Sequence, residues 1–338
     1  MPNLFGLTLS ELQEICLANG LQKFAAKQIC DWLYKKRCTS IDGMTNLSLK
    51  MREQLLKEYT LGRTPYADCQ ESADGTKKYL FPVEGGKFVE TVYIPDKERG
   101  TICVSSQVGC KMACKFCVTG KQGFHGHLSV ADILNQIVGI DEADQLTNIV
   151  FMGMGEPFDN YDNVLKATHI LTSEWGFAMS PRRITVSTVG ILPRIKEFLE
   201  QSQCHLAVSL HSPYGDERAE LMPIQKAYAH SEIVRVLRNY NWSGQRRLSF
   251  EYIMFRGLND DLLHAKKLAQ LLHGLHCRVN LIRFHASPNV PLVGSDMNTM
   301  TIFRNCLNDN GIICTIRASR GEDIMAACGL LAGKGGDS

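Results

Sequence analysis

The chain has little of several things, and each shortage narrows the problem. Charge of one sign is scarce: 37 Lys and Arg stand against 35 Asp and Glu in 338 residues, a formal net charge of +2. A general polyanion binder is usually more basic, so any contact with nucleic acid has to come from local patches. Long apolar runs are missing too. No stretch approaches the ~20 residues needed to cross a bilayer, and the opening Met1-Pro2-Asn3-Leu4-Phe5-Gly6-Leu7 lacks the basic region and apolar core of a secretory signal. There are no low-complexity tracts and no close internal repeats. With 44% hydrophobic and 21% charged residues, that excludes disordered, collagen-like and coiled-coil proteins. The thirteen cysteines are odd in number and unevenly spaced, so they do not read as a disulfide framework. A chain of this length buries enough apolar surface to do without one. The expectation is a soluble, cytoplasmic protein with no membrane partner, in which clustered cysteines carry metal or redox chemistry.

What is present sorts into zones. Residues 1–65 show apolar residues at three- and four-residue spacing over 9–21, 25–36 and 47–59, predicting short helices with Ser10 and Asn46 or Ser48 as N-caps. Lys and Arg outnumber Asp and Glu there by nine to six, with Lys35, Lys36 and Arg37 adjacent. That triplet reads either as a solvated helix end or as a phosphate-contacting patch. Residues 66–100 form a β-rich extension, with antiparallel strands predicted over 77–83, 88–94 and 100–106 and turns at Gly85-Gly86 and 96–99. From about 101 to 332, seven strand-like stretches (102–105, 148–154, 184–188, 205–210, 248–255, 279–284 and 312–317) alternate with amphipathic stretches. This is the repeated βα pattern of a parallel α/β sheet, and its length fits a partial (β/α)6 barrel better than a full eight-stranded one. A frayed tail is expected over 333–338.

The chemistry concentrates at two points. Cys110-Lys-Met-Ala-Cys114-Lys-Phe-Cys117 follows the first barrel strand, with Gly109 permitting a tight turn. Three thiolates on a four-iron cubane leave one iron open to a ligand's amine and carboxylate. A zinc ion completed by a distant ligand such as His125 or Cys103 is the alternative, disfavoured because zinc sites more often pair C-x2-C units. Gly153-Met-Gly155-Glu156-Pro157 ends the second barrel strand, where ligands bind in such folds. Glycines there let backbone approach a ligand, and Glu156 can accept from an ammonium group. Ser187, Ser209, His211, Asn280 and His285 end strands on the same predicted rim and favour a common pocket. Cys328 and Cys103, judged alone, read as small buried hydrophobes.

The three-cysteine loop followed by Gly-Glu-Pro resembles radical S-adenosylmethionine (SAM) enzymes, and more closely the RlmN/Cfr family of radical SAM RNA adenine methyltransferases. The matching stretches are Val89-Glu90-Thr91-Val92-Tyr93-Ile94-Pro95, Cys103-Val-Ser-Ser-Gln-Val-Gly-Cys110 and Phe151-Met-Gly-Met-Gly-Glu-Pro157. They continue with Ser209-Leu210-His211, Val279-Asn-Leu-Ile282, Arg320-Gly-Glu-Asp323 and Cys328-Gly329. Val108 before Gly109, and Pro157, look like the branch that acts at carbon 2. The resemblance implies a [4Fe-4S] cluster on Cys110, Cys114 and Cys117. It implies SAM held by Gly155 and Glu156, with Ser187, Ser209, Leu210, His211 and His285 nearby. His285 stands where the family often has asparagine. Cys328 then resembles the methyl-carrying cysteine, Cys103 its disulfide-forming partner and Glu90 the proton acceptor.

By the same resemblance the substrates are one adenosine of 23S rRNA and one in the tRNA anticodon loop, methylated at carbon 2 at the expense of two SAM. An electron donor of flavodoxin or ferredoxin type and a monomeric state are expected. Methylation of carbon 8 of the rRNA base is the alternative within the family. A non-catalytic, metal-containing RNA-binding protein is the alternative outside it. RNA contacts are expected from the N-terminal helices and from Arg182-Arg183, Arg246-Arg247 and Lys266-Lys267. The base would have to leave its stack to reach the barrel.

Overall fold

The structure, a computed structural model, describes residues 1–286 and 290–333, so 334–338 of the expected tail lie outside the described residues. The chain opens with helices α1 (Leu9–Ala18), α2 (Phe24–Cys30) and α3 (Leu49–Glu58), and α2 runs on into one π-helical turn, Asp31–Lys35. Ser48 caps α3 as expected, its side chain accepting from the Met51 N–H. The cap of α1 is Thr8 rather than Ser10. Thr8 accepts from the Glu11 N–H while the Glu11 carboxylate takes the Thr8 N–H at 2.7 Å. This reciprocal pair satisfies two otherwise orphaned donors, which a serine inside the first turn cannot do. Leu12, Cys16, Ile29, Leu33, Met51 and Leu55 belong to the same buried cluster as the barrel core. The helical N-terminus is therefore packed into the molecule, with no break in the core near residue 65.

Next come β1 (Asp68–Glu71), β2 (Lys77–Val83), β3 (Lys87–Asp96) and β4 (Arg99–Cys103), paired antiparallel in sequence. β4 is the pivot: antiparallel to β3 on one side, parallel to β7 (Leu146–Phe151) on the other. The parallel run continues through β8 (Ile184–Thr188), β9 (His205–Ser209), β10 (Leu248–Met254), β11 (Arg278–Arg283) and β12 (Ile313–Ile316). The connecting helices are α5 (Val130–Val138), α6 (Tyr161–Thr172), α7 (Leu192–Gln201), α9 (His230–Leu237), α10 (Leu262–Leu272) and α11 (Met297–Asp309), with a short α8 (Gly215–Leu221) before α9.

All ten strands form one curved sheet ending at β1 and β12, and among the described residues β12 does not pair with β4. The partial barrel is thus open along one seam. Two details escaped the sequence. β1 is mostly exposed, and β5 (Gln107–Gly109) pairs with β6 (Phe124–His127) as a small hairpin bracketing the cysteine loop and α4 (Val118–Lys121). Such short, polar strands carry no apolar alternation to read. Among the described residues, no helix is long and apolar enough to cross a membrane.

Candidate active site

The cysteine loop is set by backbone geometry. Gly109 has φ +69°, and a Cβ there would lie 1.9 Å from the Gly123 carbonyl oxygen. Only glycine lets the two strands of the hairpin approach so closely. Cys110 N–H then donates to that same oxygen at 2.8 Å, and Cys117 N–H to the Cys114 carbonyl at 3.2 Å. The loop delivers all three side chains to one cavity, together with Gly153, Gly155, Glu156, Ser187, Ser209 and His211.

Burial holds the three thiols above their ordinary range, Cys110 up to about 12, with the neighbouring thiols pushing the same way at each other. Thiols in such a place ionise when a cation takes the proton's position. Among the described residues, no three His, Cys, Asp or Glu side chains converge to hold a single ion. Three thiols on one cavity suit a cluster whose irons are each held by a separate cysteine.

Glu156 comes from the turn after β7. Gly155, at φ +94°, would put a Cβ 2.5 Å from that of Gln107, so the turn closes against β5 only with glycine. The Gln107 side chain accepts the Glu156 N–H at 2.9 Å. The carboxylate is buried and accepts from Phe158 N–H at 3.0 Å, Thr188 Oγ1 at 2.6 Å and Val189 N–H at 2.9 Å. Burial raises its pKa to about 7 against those three donors. Its first task here is to tie β7 to the end of β8, with lone-pair capacity left for a ligand on the cavity side.

His211 sits at φ +59°, an uncommon backbone for a non-glycine residue. Its Nδ1 accepts the Ile253 N–H at 3.0 Å, and Asn259 holds its carbonyl at 2.6 Å. Burial, then the nearby Arg218, push its pKa down to about 3. The ring is therefore neutral with its proton on Nε2. Leu210 is a buried core residue rather than a wall of the cavity; its N–H donates to the Glu251 carbonyl at 3.0 Å.

Cys328 also lines this cavity, although it is exposed and comes from the loop after β12. That loop is anchored at both ends. Ser72 Oγ and the Ala73 N–H donate to Asp323 at 2.5 and 3.1 Å. Val118 N–H reaches the Gly329 carbonyl at 2.8 Å and Thr119 Oγ1 the Leu331 carbonyl at 2.7 Å. Cys103, buried at the end of β4, is driven up to about 12 by burial and then by the nearby Cys328 thiol, with Arg317 opposing. Both are free thiols. Glu90 is buried on β3: one carboxylate oxygen is 3.3 Å from Lys78 Nζ, and the other accepts the Ala332 N–H at 2.6 Å.

Two rim residues from the sequence take other positions. Asn280 is spent on Glu251, at 2.8 Å, and on Thr315. His285 lines a neighbouring cavity, bonded to Ser319 Oγ at 2.8 Å and near Glu322 at 3.4 Å.

Three residues were missed. Arg218 is fully buried and donates to the carbonyls of Leu210, Val189 and Ser209 and to Gln225, binding the ends of β8 and β9 together. Between Asp216-Glu217 and Glu220 it carries no signal in the sequence that sets it apart from surface charge. Glu251 is buried on β10, one oxygen held by Ser249 and Asn280, the other with no hydrogen bond and 3.8 Å from Arg317. A lone carboxylate in the apolar strand Leu248–Met254 was the available signal. Arg317 faces Cys103, Cys328 and Glu251, which together outweigh the burial working against its charge.

Comparison with known proteins agrees with this geometry. Residues 104–269 match the radical SAM superfamily, and residues 2–61 match the ribosomal RNA large subunit methyltransferase N-terminal domain. The chain is 59% identical over 329 residues to a probable dual-specificity RNA methyltransferase RlmN of Bacteroides fragilis, covering 97% of this chain and 96% of that protein. It is 41% identical to the dual-specificity RNA methyltransferase RlmN of Syntrophus aciditrophicus, over 98% and 97% of the two chains. A crystal structure of a radical SAM methyltransferase from Sphaerobacter thermophilus superposes with a TM-score of 0.93 at 39% identity, covering 99% of this chain and all of that one.

Proposed function

The chain belongs to the RlmN family of radical SAM RNA methyltransferases, and from that premise we propose that it methylates carbon 2 of one adenosine in 23S rRNA and of one in the tRNA anticodon loop. The observation that carries the reading is Cys328 on the wall of the cavity that Cys110, Cys114 and Cys117 share. The family's cofactors are a [4Fe-4S] cluster and SAM, and the three thiols and the Gly155-Glu156 turn suit them.

Carbon 2 of adenine is an sp2 carbon without a nucleophilic lone pair, so it does not attack the methyl of SAM directly. Cys328 is a competent nucleophile as its thiolate: it takes the methyl from one SAM, forming an S–C bond and releasing S-adenosylhomocysteine. A cluster held by Cys110, Cys114 and Cys117 would supply the electron that splits a second SAM, and the radical so formed would take one hydrogen from that methyl. The carbon on the Cys328 sulfur then bonds to the ring, and the unpaired electron this leaves on the adduct would pass back to the one-electron source that began the turnover, so that the later steps move electron pairs only. Glu90 accepts the ring proton once Ala332 N–H releases its oxygen, and Lys78 keeps the carboxylate in place. Cys103 attacks the Cys328 sulfur; the C–S bond breaks toward the product and the two sulfurs leave as a disulfide, reset by an external thiol. A flavodoxin- or ferredoxin-type donor supplies the electrons for the cluster.

Nucleoside mass spectrometry tests this, on 23S rRNA incubated anaerobically with reconstituted enzyme, reductant and methyl-deuterated SAM. 2-Methyladenosine carrying two deuteriums of the donated methyl is expected. 8-Methyladenosine would move the chain to the other branch of the family, and fully deuterated methyl would contradict the route through Cys328.

A further inference from the structure

Cys328 lies on the wall of a second cavity as well. This one is enclosed by the β3–β4 hairpin and the ends of β11 and β12, so it follows the seam along which β4 and β12 do not pair. Its volume is about 350 Å³, within the range of small-ligand sites. Arg99, Arg283, Arg317 and Arg320 line it. Four guanidiniums in one cavity stand out in a chain whose net charge is +2.

The acceptors around them are few. Asp96 takes Arg99 at 2.8 Å, Glu251 lies 3.8 Å from Arg317, and Glu322 faces His285. Arg283 and Arg320 make no side-chain hydrogen bond or ion pair among the described residues. Several of the basic residues that stand out in the sequence are spent locally, although Arg182, Arg247 and Lys266 make no side-chain hydrogen bond or ion pair among the described residues. Lys35 and Lys36 pair with Asp31, Arg37 with Asp144 at 2.6 Å, and Arg246 is used up on the carbonyls of Phe198, Leu199 and Cys204.

We infer that the seam cavity binds RNA phosphodiesters flanking the base presented to Cys328, an inference that rests on the RNA methyltransferase reading above. The guanidinium fork matches two phosphate oxygens at once, which a lysine ammonium does not. Unpaired like charges around one cavity repel, and a polyanion removes that repulsion. The two cavities also sort the two reactants by charge. SAM carries a sulfonium and an ammonium against one carboxylate, so the thiols and Glu156 suit it better than Arg99, Arg283 and Arg320 do, while Arg317 stands on the wall that both cavities share. RNA has the opposite preference. A strand lying along the seam brings its base to Cys328 from the side away from the cluster cysteines.

The test is fluorescence anisotropy of a labelled RNA hairpin with an unpaired loop adenosine, titrated with full-length, cluster-loaded protein across a salt series. The variant is R283Q/R320Q, with R283K/R320K for comparison and circular dichroism melting to verify the fold. The inference predicts that R283Q/R320Q binds about tenfold more weakly and that its log Kd against log salt slope falls by roughly 1.4, the share of two single-strand phosphate contacts. R283K/R320K keeps the slope. An unchanged slope in R283Q/R320Q, with tight binding by the parent protein, would overturn the seam assignment and leave the methyltransferase reading standing. Absence of RNA binding by the parent protein would bring down both. Competition by inorganic phosphate as effective as by RNA, per phosphate, would make this a free-anion site and overturn the RNA assignment.

Discussion

On one side of Cys328 the wall is made of buried thiols, two glycines that tolerate no Cβ, and a carboxylate with three donors. On the other it is lined by arginines, of which Arg317 is shared with the first side and two make no side-chain hydrogen bond or ion pair among the described residues. The first side is built from the ends of central parallel strands, where neighbours fix every group. The second lies on the edge that the sheet leaves open, where side chains are exposed or half-buried. Substitutions on the first side should therefore cost both fold and chemistry. Substitutions on the second should cost partner binding alone.

The largest contrast is chemical. Cys328→Ala should abolish turnover while leaving the visible absorbance of the cluster intact, and Cys114→Ala should lose both. Anaerobic absorbance spectra with a methyl-transfer assay check the pair. Cys103→Ala should stop the reaction one step later, with the RNA still bonded to the Cys328 sulfur, seen as a protein–RNA adduct on a denaturing gel.

Arg218→Ala measures the structural half of the comparison. It takes the side-chain donor from the Val189 and Ser209 carbonyls and one of two donors from that of Leu210 and should cost about 3 kcal/mol in urea unfolding. Arg283→Gln, at an exposed residue with no side-chain partner among the described residues, should stay within about 0.5 kcal/mol of the parent. A comparable loss in both would erase the distinction drawn here.

Gly155→Ala should destabilise by about 2 kcal/mol and weaken SAM binding, because the new Cβ meets Gln107 at 2.5 Å. Gly85→Ala, also at positive φ but with nothing within 4 Å, should cost about 1 kcal/mol. Paired melts and SAM titrations separate the two.

The smallest effect is in pH. Burial pushes His205 down to about 4 and His211 to about 3. Both rings are then neutral when folded but take protons when unfolded below about 6.5. Stability from these sites is complete above pH 6.5 and falls as pH drops toward 4. Glu156, raised to about 7, acts oppositely and gives back part of the gain between pH 4.5 and 7. His205→Asn should flatten the slope of unfolding free energy against pH below 6.5 by about one proton's worth.

The same contrast explains what the sequence disclosed. Strand–helix alternation marked all seven parallel strands, because buried strands need continuous apolar runs and surface helices need a stripe. The cysteine loop and the Gly-Glu-Pro turn were legible because their chemistry needs fixed residues at fixed spacing. Cys328 and Glu90 were not legible on their own. One is a lone cysteine among alanines and the other a glutamate in a strand, and the resemblance to a family gave them meaning. The arginine seam was hidden altogether, since Arg99, Arg283, Arg317 and Arg320 are scattered over more than half the chain and meet only where the sheet stays open. Adjacent basic pairs were easier to see and are partly spent on local structure.

The account turns on Cys328 standing between a cofactor side and a substrate side. Peptide mass spectrometry tests that most directly, on cluster-loaded protein incubated anaerobically with methyl-deuterated SAM and no RNA. The predicted result is one labelled methyl on Cys328 and none on Cys103, Cys110, Cys114 or Cys117. An unlabelled Cys328 in protein that nonetheless methylates RNA would contradict it.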